Sequence, residues 1–255
     1  MLKIEKFVTA SPEQWEIIIE GMRNPKNSWD RSDSIVCKEP REAMTNDEID
    51  ATCGKCPKSG HCDIYDYDPH FILGENDHIL MDTLNEGGPV HAKYRRMIPV
   101  WVTLTAPLYW WKEFDTYKVG TVANSCSTMH KIHEKEFTLE DFSYDQLFGD
   151  KDLTWGAIVP LRTLECVIAA LNKYRTQFLD SGKKDKDAWY QMIQLLPSSY
   201  NQKRTVMLNY EVLCNIYRWR KNHKLDEWHV FCDWIRELPY SELIIGEEEN
   251  DGSDT

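Results

Sequence analysis

The sequence contains no apolar run long enough to cross a membrane. A transmembrane helix needs roughly 20 consecutive apolar residues, and every apolar stretch here is shorter than that. The N-terminal segment also lacks the pattern of a signal peptide, in which charged residues precede an apolar core. Both absences predict a cytoplasmic protein without a membrane partner.

Positive charge is also scarce. The 255 residues carry a formal net charge of -12, whereas proteins that bind DNA or RNA present a basic surface to the phosphates. This argues against nucleic acid as a general partner, but it leaves room for a small anionic ligand in a local basic pocket. No internal repeat is present.

The composition is that of a globular chain, with 42% hydrophobic and 12% aromatic residues. A chain of this length can bury a substantial core in one or two domains. We predict a single α+β domain over residues 1–245 with an insertion at 26–68. The acidic tail, 246–255, is too polar to fold alone and is predicted to be disordered.

Four of the eight cysteines fall within the insertion, where helical and strand periodicity disappears. They are Cys37, Cys53, Cys56 and Cys62, with His61 adjacent. The Cys-x2-Cys spacing is typical of one arm of a zinc site, and four thiolates, or three with an imidazole, suit tetrahedral zinc. An iron-sulfur cluster and unligated thiols are the alternatives. The other four cysteines are expected to be free thiols.

Local patterns predict several elements. Alternation over residues 2–8 predicts a strand, and Ser11 with Gln14 forms a capping box that begins a helix. Apolar residues at helical spacing predict a long amphipathic helix over 161–179. A further helix, capped by Asn76, is predicted to turn three apolar side chains inward: Ile79, Leu80 and Leu84.

The segment 207–222 is predicted to be the central helix of the protein. At about 100° per residue, one face would carry five apolar residues: Leu208, Val212, Leu213, Ile216 and Trp219. Asn209 and Arg220 would lie within about 20° of each other on that face. A guanidinium keeps its proton, and an unpaired buried charge is costly. Arg220 therefore needs a partner, either a carboxylate of the protein or an anionic or polar ligand.

The order of residues in this region resembles that of flavin-dependent thymidylate synthases. In that family a Leu-Pro pair is followed at this distance by an Asn, a second Asn and an Arg. The corresponding residues here are Leu196-Pro197, Asn209, Asn215 and Arg220, without a gap.

A second region resembles the family with substitutions. Aligned from Ala106-Pro107, the family's Arg-His-Arg triplet falls on Thr116, Tyr117 and Lys118, and the preceding Gln on Glu113. Lys118 keeps one positive charge but lacks the planar fork with which an arginine binds phosphate.

The loop after the triplet departs from the family in the same direction. Ser127 keeps a family serine, whereas Ser125 stands at a Glu position and Met129 at an Arg position. A phosphate-binding Arg before the Leu-Pro pair is Ile193 here. Two nearby residues can supply a replacement charge, Lys203 and Arg204.

The resemblance implies a fold, a reaction and a set of site residues. The fold would be α+β, a mixed sheet flanked by helical bundles, assembled as a homotetramer. The reaction would be reductive methylation of dUMP to dTMP with methylenetetrahydrofolate, FAD and NADPH, and Arg220 would be the catalytic residue. The residues implied for FAD are His91, Tyr117, Lys118, Asn209 and Asn215. Those implied for dUMP are Glu113, Thr116, Ser125, Ser127 and Arg220.

Two other functions are compatible with the sequence. One is a relative that binds flavin or nucleotide without this reaction, because folds often outlast activities. The other is an interaction protein stapled by zinc, with no enzymatic activity. Bound flavin separates the first from the second.

Overall fold

The protein consists of short strands and longer helices. The computed structural model describes residues 1–37, 45, 56, 69–149 and 158–246. The strands are β1 (Lys3–Val8), β2 (Ile35–Cys37), β3 (His70–Ile72), β4 (Pro99–Pro107), β5 (Val122–Ser125) and β6 (Asn201–Asn209). One sheet has the order β1-β4-β6-β5, and β2 pairs with β3 in a separate antiparallel ribbon.

Helices account for most of the remaining regular structure. They are α1 (Pro12–Arg23), α2 (Glu75–Glu86), α3 (Leu108–Phe114), α4 (Pro160–Asp180), α5 (Lys186–Leu195), α6 (Tyr210–Arg220), α7 (Asp226–Arg236) and α8 (Glu242–Ile245). The predicted α+β class is confirmed. Among the described residues, none of these helices has both the length and the apolar character needed for a membrane crossing.

Two helices follow closely from local sequence. The predicted capping box is present at the start of α1, where Ser11 and Gln14 satisfy each other's backbone groups and Pro12 occupies the first turn. The helix predicted over 161–179 is α4, and Pro160 again stands in its first turn. In both cases the signals that define the helix lie within the helix itself.

The described residues group into two compact units, each built from separate stretches of chain. The first contains Met1–Phe7, Val102–Met207 and His223–Phe231. The second contains the described parts of Val8–Trp101, Leu208–Asn222 and Cys232–Thr255. The single domain with an insertion at 26–68 remains a prediction, and residues 247–255 of the tail lie outside the described residues.

The first unit has an aromatic core beside α3. The Trp110 ring lies 4.6 Å from that of Trp228, 4.9 Å from that of Trp111 and 5.1 Å from that of Phe114. All four side chains are fully buried, and large aromatic residues contribute most strongly to core energetics. This packing fixes the end of α3, from which several predicted site residues project.

The second unit contains a buried ion pair between α1 and α2. Arg23 Nε lies 2.5 Å from Asp77 Oδ1, and both side chains are almost completely buried. Ser32 and Ser34 also donate hydrogen bonds to the Asp77 carboxylate. Because both charges are excluded from water, neither can be removed alone without a large cost.

The predicted inward face of α2 is wrong at Ile79, whereas Leu80 and Leu84 are half-buried. Ile79 is 57% exposed, and the buried side chains of this helix are Asp77 and Met81. The helix also begins two residues earlier than predicted, with Gly74 as its N-cap in place of Asn76. From the sequence alone, Asp77 would be expected at the surface because it is charged. Its ion pair with Arg23 instead holds it in the core.

Candidate functional site

The predicted central helix begins later than its apolar pattern indicated. β6 continues through Asn209, so Leu208 is a buried strand residue and α6 starts at Tyr210. The Asn209 side-chain oxygen accepts a hydrogen bond of 3.1 Å from the backbone N-H of Val212, which makes Asn209 the N-cap. The predicted common helical face of Asn209 and Arg220 is therefore wrong, since only Arg220 is in the helix.

Asn209 is expected to contribute to stability as well as to any ligand site. Asn209→Ala should lower the free energy of unfolding by about 1 kcal/mol, the usual value of an N-cap side chain. Asn209→Ser should retain most of that stability, because a serine hydroxyl caps equally well. Denaturant unfolding of both variants measures the difference. Equal losses in the two variants would contradict the capping role.

The buried charge on α6 is Glu211. Its carboxylate lies 2.8 Å from the guanidinium of Arg95, in the short 3-10 turn Lys93–Met97, and both side chains are largely buried. Arg95 also donates to Cys214 Sγ at 3.4 Å. Sequence reasoning missed this pair. Its two members are far apart in the sequence, so no local sequence pattern indicates the pair.

Asn215 and Arg220 are half-buried on α6. Arg220 is engaged in an interaction within the protein, and its side chain remains partly accessible. Trp219, predicted to lie inward, is 71% exposed. The helix therefore buries its first two turns more deeply than its end, where Arg220 lies near the surface.

His91 lies in the second unit with these residues. It is exposed and follows the turn after α2, where its backbone N-H donates to Gly88 O at 2.9 Å. The ring packs over Gly87, since a Cβ placed on that glycine would come within 3.0 Å of His91 Cδ2. An exposed imidazole in this position can bind a ligand at the surface of the second unit.

The remaining predicted site residues belong to the first unit, and Glu113 is the most constrained of them. Its carboxylate accepts a hydrogen bond of 3.0 Å from Trp228 Nε1 and lies 3.3 Å from His223 Nε2. The buried tryptophan therefore fixes the orientation of the acid. A protonated His223 would neutralise the acid, which would reduce its repulsion of a nearby phosphate.

The degenerate triplet follows directly after α3. Thr116 donates its hydroxyl hydrogen bond to Glu113 O at 2.7 Å, and Tyr117 meets the Trp228 ring edge-on at 6.3 Å. Lys118 is exposed. The structure thus brings four of the predicted residues to one end of α3. Lys118 is the one cation among these four.

The predicted nucleotide loop runs along β5 and beyond it. Ser125 is exposed and pairs in register with Arg204 on β6. Ser127 Oγ accepts from the backbone N-H of His130 at 2.9 Å, so part of its hydrogen-bonding capacity stabilises the turn. The hydroxyl can still donate to a ligand, because accepting a bond leaves its proton available.

Arg204 supplies a guanidinium beside this loop. Its Nη1 lies 2.7 Å from Asp115 Oδ1, and its guanidinium stacks 4.3 Å above the centre of the Trp111 ring. Stacking and pairing together orient the guanidinium, a planar group that is suited to binding phosphate oxygens. Lys203, the other replacement suggested by the sequence, instead pairs with Glu5. That hydrogen bond is the main reason why the pKa of Glu5 lies below its ordinary value.

A partly buried hydroxyl-carboxylate pair lies in the same unit. Tyr109 on α3 donates to Glu227 in the first turn of α7. Burial raises the pKa of Tyr109, and the bond to Glu227 raises it further. Tyr109 is therefore a neutral donor throughout the physiological range and serves to join the two helices.

A separate cavity lies within the second unit. A volume of about 170 Å³ opens beside α1 and is lined by Glu16, Ile19, Glu20, Arg23, Trp29, Ser32, Ser34 and Phe71. None of the site residues predicted from sequence contributes to it.

The cysteines predicted to bind metal are only partly described. Cys37 is buried at the end of β2 and Cys56 is half-buried, whereas Cys53 and Cys62 lie outside the described residues. Within the described parts of the chain, no three His, Cys, Asp or Glu side chains are gathered as a complete metal site. The four other cysteines, Cys126, Cys166, Cys214 and Cys232, are free thiols as predicted.

The chain has the fold of flavin-dependent thymidylate synthases, a class of α+β proteins. No family model and no curated protein matches its sequence. The resemblance seen in the sequence is confirmed at the level of the fold by solved structures that share little sequence with it.

Two of these structures are from Helicobacter pylori. Thymidylate synthase X with FAD and dUMP has a TM-score of 0.52 at 14% identity, over 96% of each chain. A second structure of that flavin-dependent enzyme, also complexed with FAD and dUMP, has a TM-score of 0.51 at 13% identity, over 96% of this chain and 97% of that one.

The third is the UMP/dUMP methylase PolB from Streptomyces cacaoi, bound with 5-Br dUMP. Its TM-score is 0.52 at 13% identity, over 93% of this chain and 88% of that one. At such identities the likeness defines the fold.

Proposed function

We propose that this protein is a flavin-dependent methyltransferase of the thymidylate synthase type, which converts dUMP to dTMP with methylenetetrahydrofolate, FAD and NADPH. The observation that carries the proposal is the spacing of Asn209, at the β6-α6 junction, with Asn215 and Arg220 on α6. The chain has the fold of proteins crystallised with FAD and dUMP. These residue types at this spacing resemble the family's ligand-binding helix.

The proposed cofactor residues retain the groups that FAD requires. The cap uses only the oxygen of the Asn209 amide, so its nitrogen remains a donor. Asn215 is half-buried, while His91 and Lys118 are exposed and available to the polar parts of a large cofactor. Bound FAD would carry the electrons that NADPH supplies for the reduction.

Arg220 would act on the pyrimidine. A guanidinium beside the ring carbonyl and N3 favours the ionised ring, which makes C5 nucleophilic, and this electrostatic stabilisation is strongest where water is excluded. Serines 125 and 127, with Arg204, would meet the nucleotide phosphate. Glu113, paired with His223, would lie on the nucleotide side. The family resemblance supports a homotetramer with these sites between subunits.

A specific observation favours a second candidate, a relative that binds flavin or nucleotide without this reaction. Thr116 stands at a family arginine position, and its hydroxyl donates a hydrogen bond to the backbone carbonyl of Glu113 in α3. The Glu113 carboxylate already accepts a hydrogen bond from the Trp228 ring nitrogen. Fewer fixed positive charges meet the phosphate, so binding would be weaker and orientation less strict.

Flavin uptake and activity of the purified protein distinguish the two candidate functions. If the proposal is right, the protein is yellow or takes up FAD, and it oxidises NADPH rapidly only when dUMP and methylenetetrahydrofolate are both present. Formation of dTMP by chromatography completes the test. Omitting dUMP is the control for uncoupled oxidation. Flavin uptake or dUMP binding without dTMP formation supports the second candidate, and absence of both flavin uptake and dUMP binding overturns both candidates.

A further inference from the structure

The cavity beside α1 is lined by side chains of opposite charge. Glu16, Glu20 and Arg23 all contribute to its wall, and their spacing of four and three positions places them on one face of the helix. The volume is about 170 Å³, and a cavity of about 150 Å³ is enough for a molecule the size of benzene. The cavity therefore has room for a small organic ligand with charged groups.

Arg23 has one guanidinium nitrogen that the ion pair with Asp77 does not use. Its Nε pairs with Asp77, and its Nη1 donates to the backbone oxygen and to the hydroxyl of Ser28, both at 3.2 Å. Nη2 is buried and has no hydrogen-bond partner among the described residues. The residue is only 3% exposed, and a buried donor without an acceptor is unfavourable. Since Arg23 lines the cavity, an oxygen of a bound ligand would satisfy this donor.

A charged oxygen suits this donor best. Hydrogen bonds between a guanidinium and a carboxylate are shorter and stronger than bonds to a neutral oxygen. Arg23 is also largely excluded from water, which strengthens the attraction further. The donor therefore favours a ligand with a carboxylate.

The other charged residues of the cavity favour a cation. Glu16 and Glu20 are exposed acids, so they would repel a ligand that carried negative charge alone. Trp29 also lines the cavity and is 50% exposed, and the face of an indole ring attracts an ammonium group. A ligand that satisfies both ends must carry an ammonium group as well as a carboxylate.

Apolar side chains complete the wall. Ile19 and Phe71 line the cavity and are buried. The Phe71 ring stacks on that of Trp15, with the ring centres 5.1 Å apart and the planes within 7° of each other, which holds this part of the wall in place. Small-molecule sites commonly combine such apolar walls with a few polar groups that orient the ligand. A short aliphatic chain fits this surface.

We propose that the cavity beside α1 binds a small aliphatic amino acid. Its carboxylate accepts hydrogen bonds from Arg23 Nη2, and its ammonium group lies beside Glu16 and Glu20. Its side chain packs against Ile19 and Phe71. The site is separate from the proposed catalytic function, because none of the residues assigned to FAD or dUMP lines this cavity.

Three ligands that differ in one group test the assignment on the unsubstituted protein. They are L-leucine, 4-methylpentanoate, which lacks the amino group, and 3-methylbutylamine, which lacks the carboxylate. Titration calorimetry should rank leucine first. Removing the carboxylate should weaken binding about 10- to 100-fold, because it deletes bonds to a buried guanidinium. Removing the amino group should weaken it about fivefold, because exposed acids contribute less.

The position of the bound ligand is measured by NMR with labelled isoleucine methyl groups. Leucine should shift the methyl signals of Ile19, which are assigned through Ile19→Val. The signals of Ile132, a buried residue of the first unit, should stay unchanged. Leucine binding without any shift at Ile19 would place the ligand elsewhere and overturn the assignment.

A double variant tests the acidic end of the site without disturbing the buried ion pair. Glu16→Gln with Glu20→Gln should weaken leucine binding about fivefold and should not weaken binding of 4-methylpentanoate. The matched control is Asp82→Asn with Glu86→Gln, which removes the same charge from exposed positions of α2 and should bind leucine normally.

Two results would overturn the proposal. One is no measurable binding of leucine to the unsubstituted protein, and the other is equal affinity for all three ligands, which would indicate a merely apolar cavity. FAD uptake and dTMP formation are measured separately, so neither result bears on the proposed catalytic function.

Discussion

Asp77→Asn should remove about 3–5 kcal/mol from the free energy of unfolding, the cost of breaking a buried ion pair from one side. Asparagine has the shape of aspartate, so the change deletes a charge while packing stays nearly constant. Arg23 would then remain buried with no compensating carboxylate. Urea unfolding followed by circular dichroism measures the loss, and Asp82→Asn, at an exposed position of the same helix, is the matched control.

A second substitution separates charge from packing. Arg23→Met combined with Asp77→Asn should restore part of the lost stability, because exchanging both partners of a buried pair is often nearly neutral. The interaction free energy from the two single variants and the double variant then measures the pair. An Asp77→Asn variant as stable as the Asp82→Asn control would show that the ion pair is unimportant.

The same carboxylate predicts how stability changes in acid. Burial alone would raise the pKa of Asp77, but the hydrogen bonds from Ser34, Ser32 and Arg23 outweigh it and keep the pKa below its ordinary value. A group whose pKa is lower in the folded state binds its proton more readily when unfolded. Its contribution is therefore complete above about pH 4–5 and is lost as the pH falls below the ordinary aspartate value of about 3.9. Asp77→Asn should flatten this acid limb.

The elements that sequence predicted well are those defined by neighbouring residues. The α1 capping box depends only on Ser11, Gln14 and the turn between them. The helix α4 is indicated by apolar residues spaced three and four positions apart. The spacing of Asn209, Asn215 and Arg220 is also visible in the sequence, and the family resemblance based on it predicted the correct fold. Interactions between residues close in the sequence can therefore be predicted from a short segment alone.

The errors arise where a distant partner decides the outcome. Asp77 lies inward because Arg23, on another helix, meets it, and Glu211 is buried because Arg95 neutralises it. Neither pair can be read from one periodic segment. The start of α6 was misplaced for a related reason, since β6 and the helix share an apolar pattern across Leu208, and pairing within the sheet determines which of the two continues.

Asn215→Ala should weaken FAD binding about 10-fold while leaving the fold intact. The estimate corresponds to roughly one hydrogen bond, about 1–1.5 kcal/mol. Asn215 is half-buried on α6, so truncation to alanine removes a polar group without opening a large cavity. Quenching of flavin fluorescence measures the affinity. Asn222→Ala, at an exposed position just beyond the helix, should bind FAD as the unsubstituted protein does.

Arg220→Ala should instead leave FAD affinity within about twofold and lower dUMP affinity by roughly 100-fold, because two charge-assisted bonds to the pyrimidine are worth about 3 kcal/mol together. Titration calorimetry of dUMP into the FAD-loaded protein measures this. Arg220→Lys should recover only part of the loss, since an ammonium keeps the charge but not the planar fork. Arg218→Ala, at an exposed position of the same helix, separates a specific contact from a change in net charge. If Arg220→Ala bound dUMP normally but unfolded more easily, the guanidinium would be a structural ion pair, and the dUMP site would have to be sought beside Arg204.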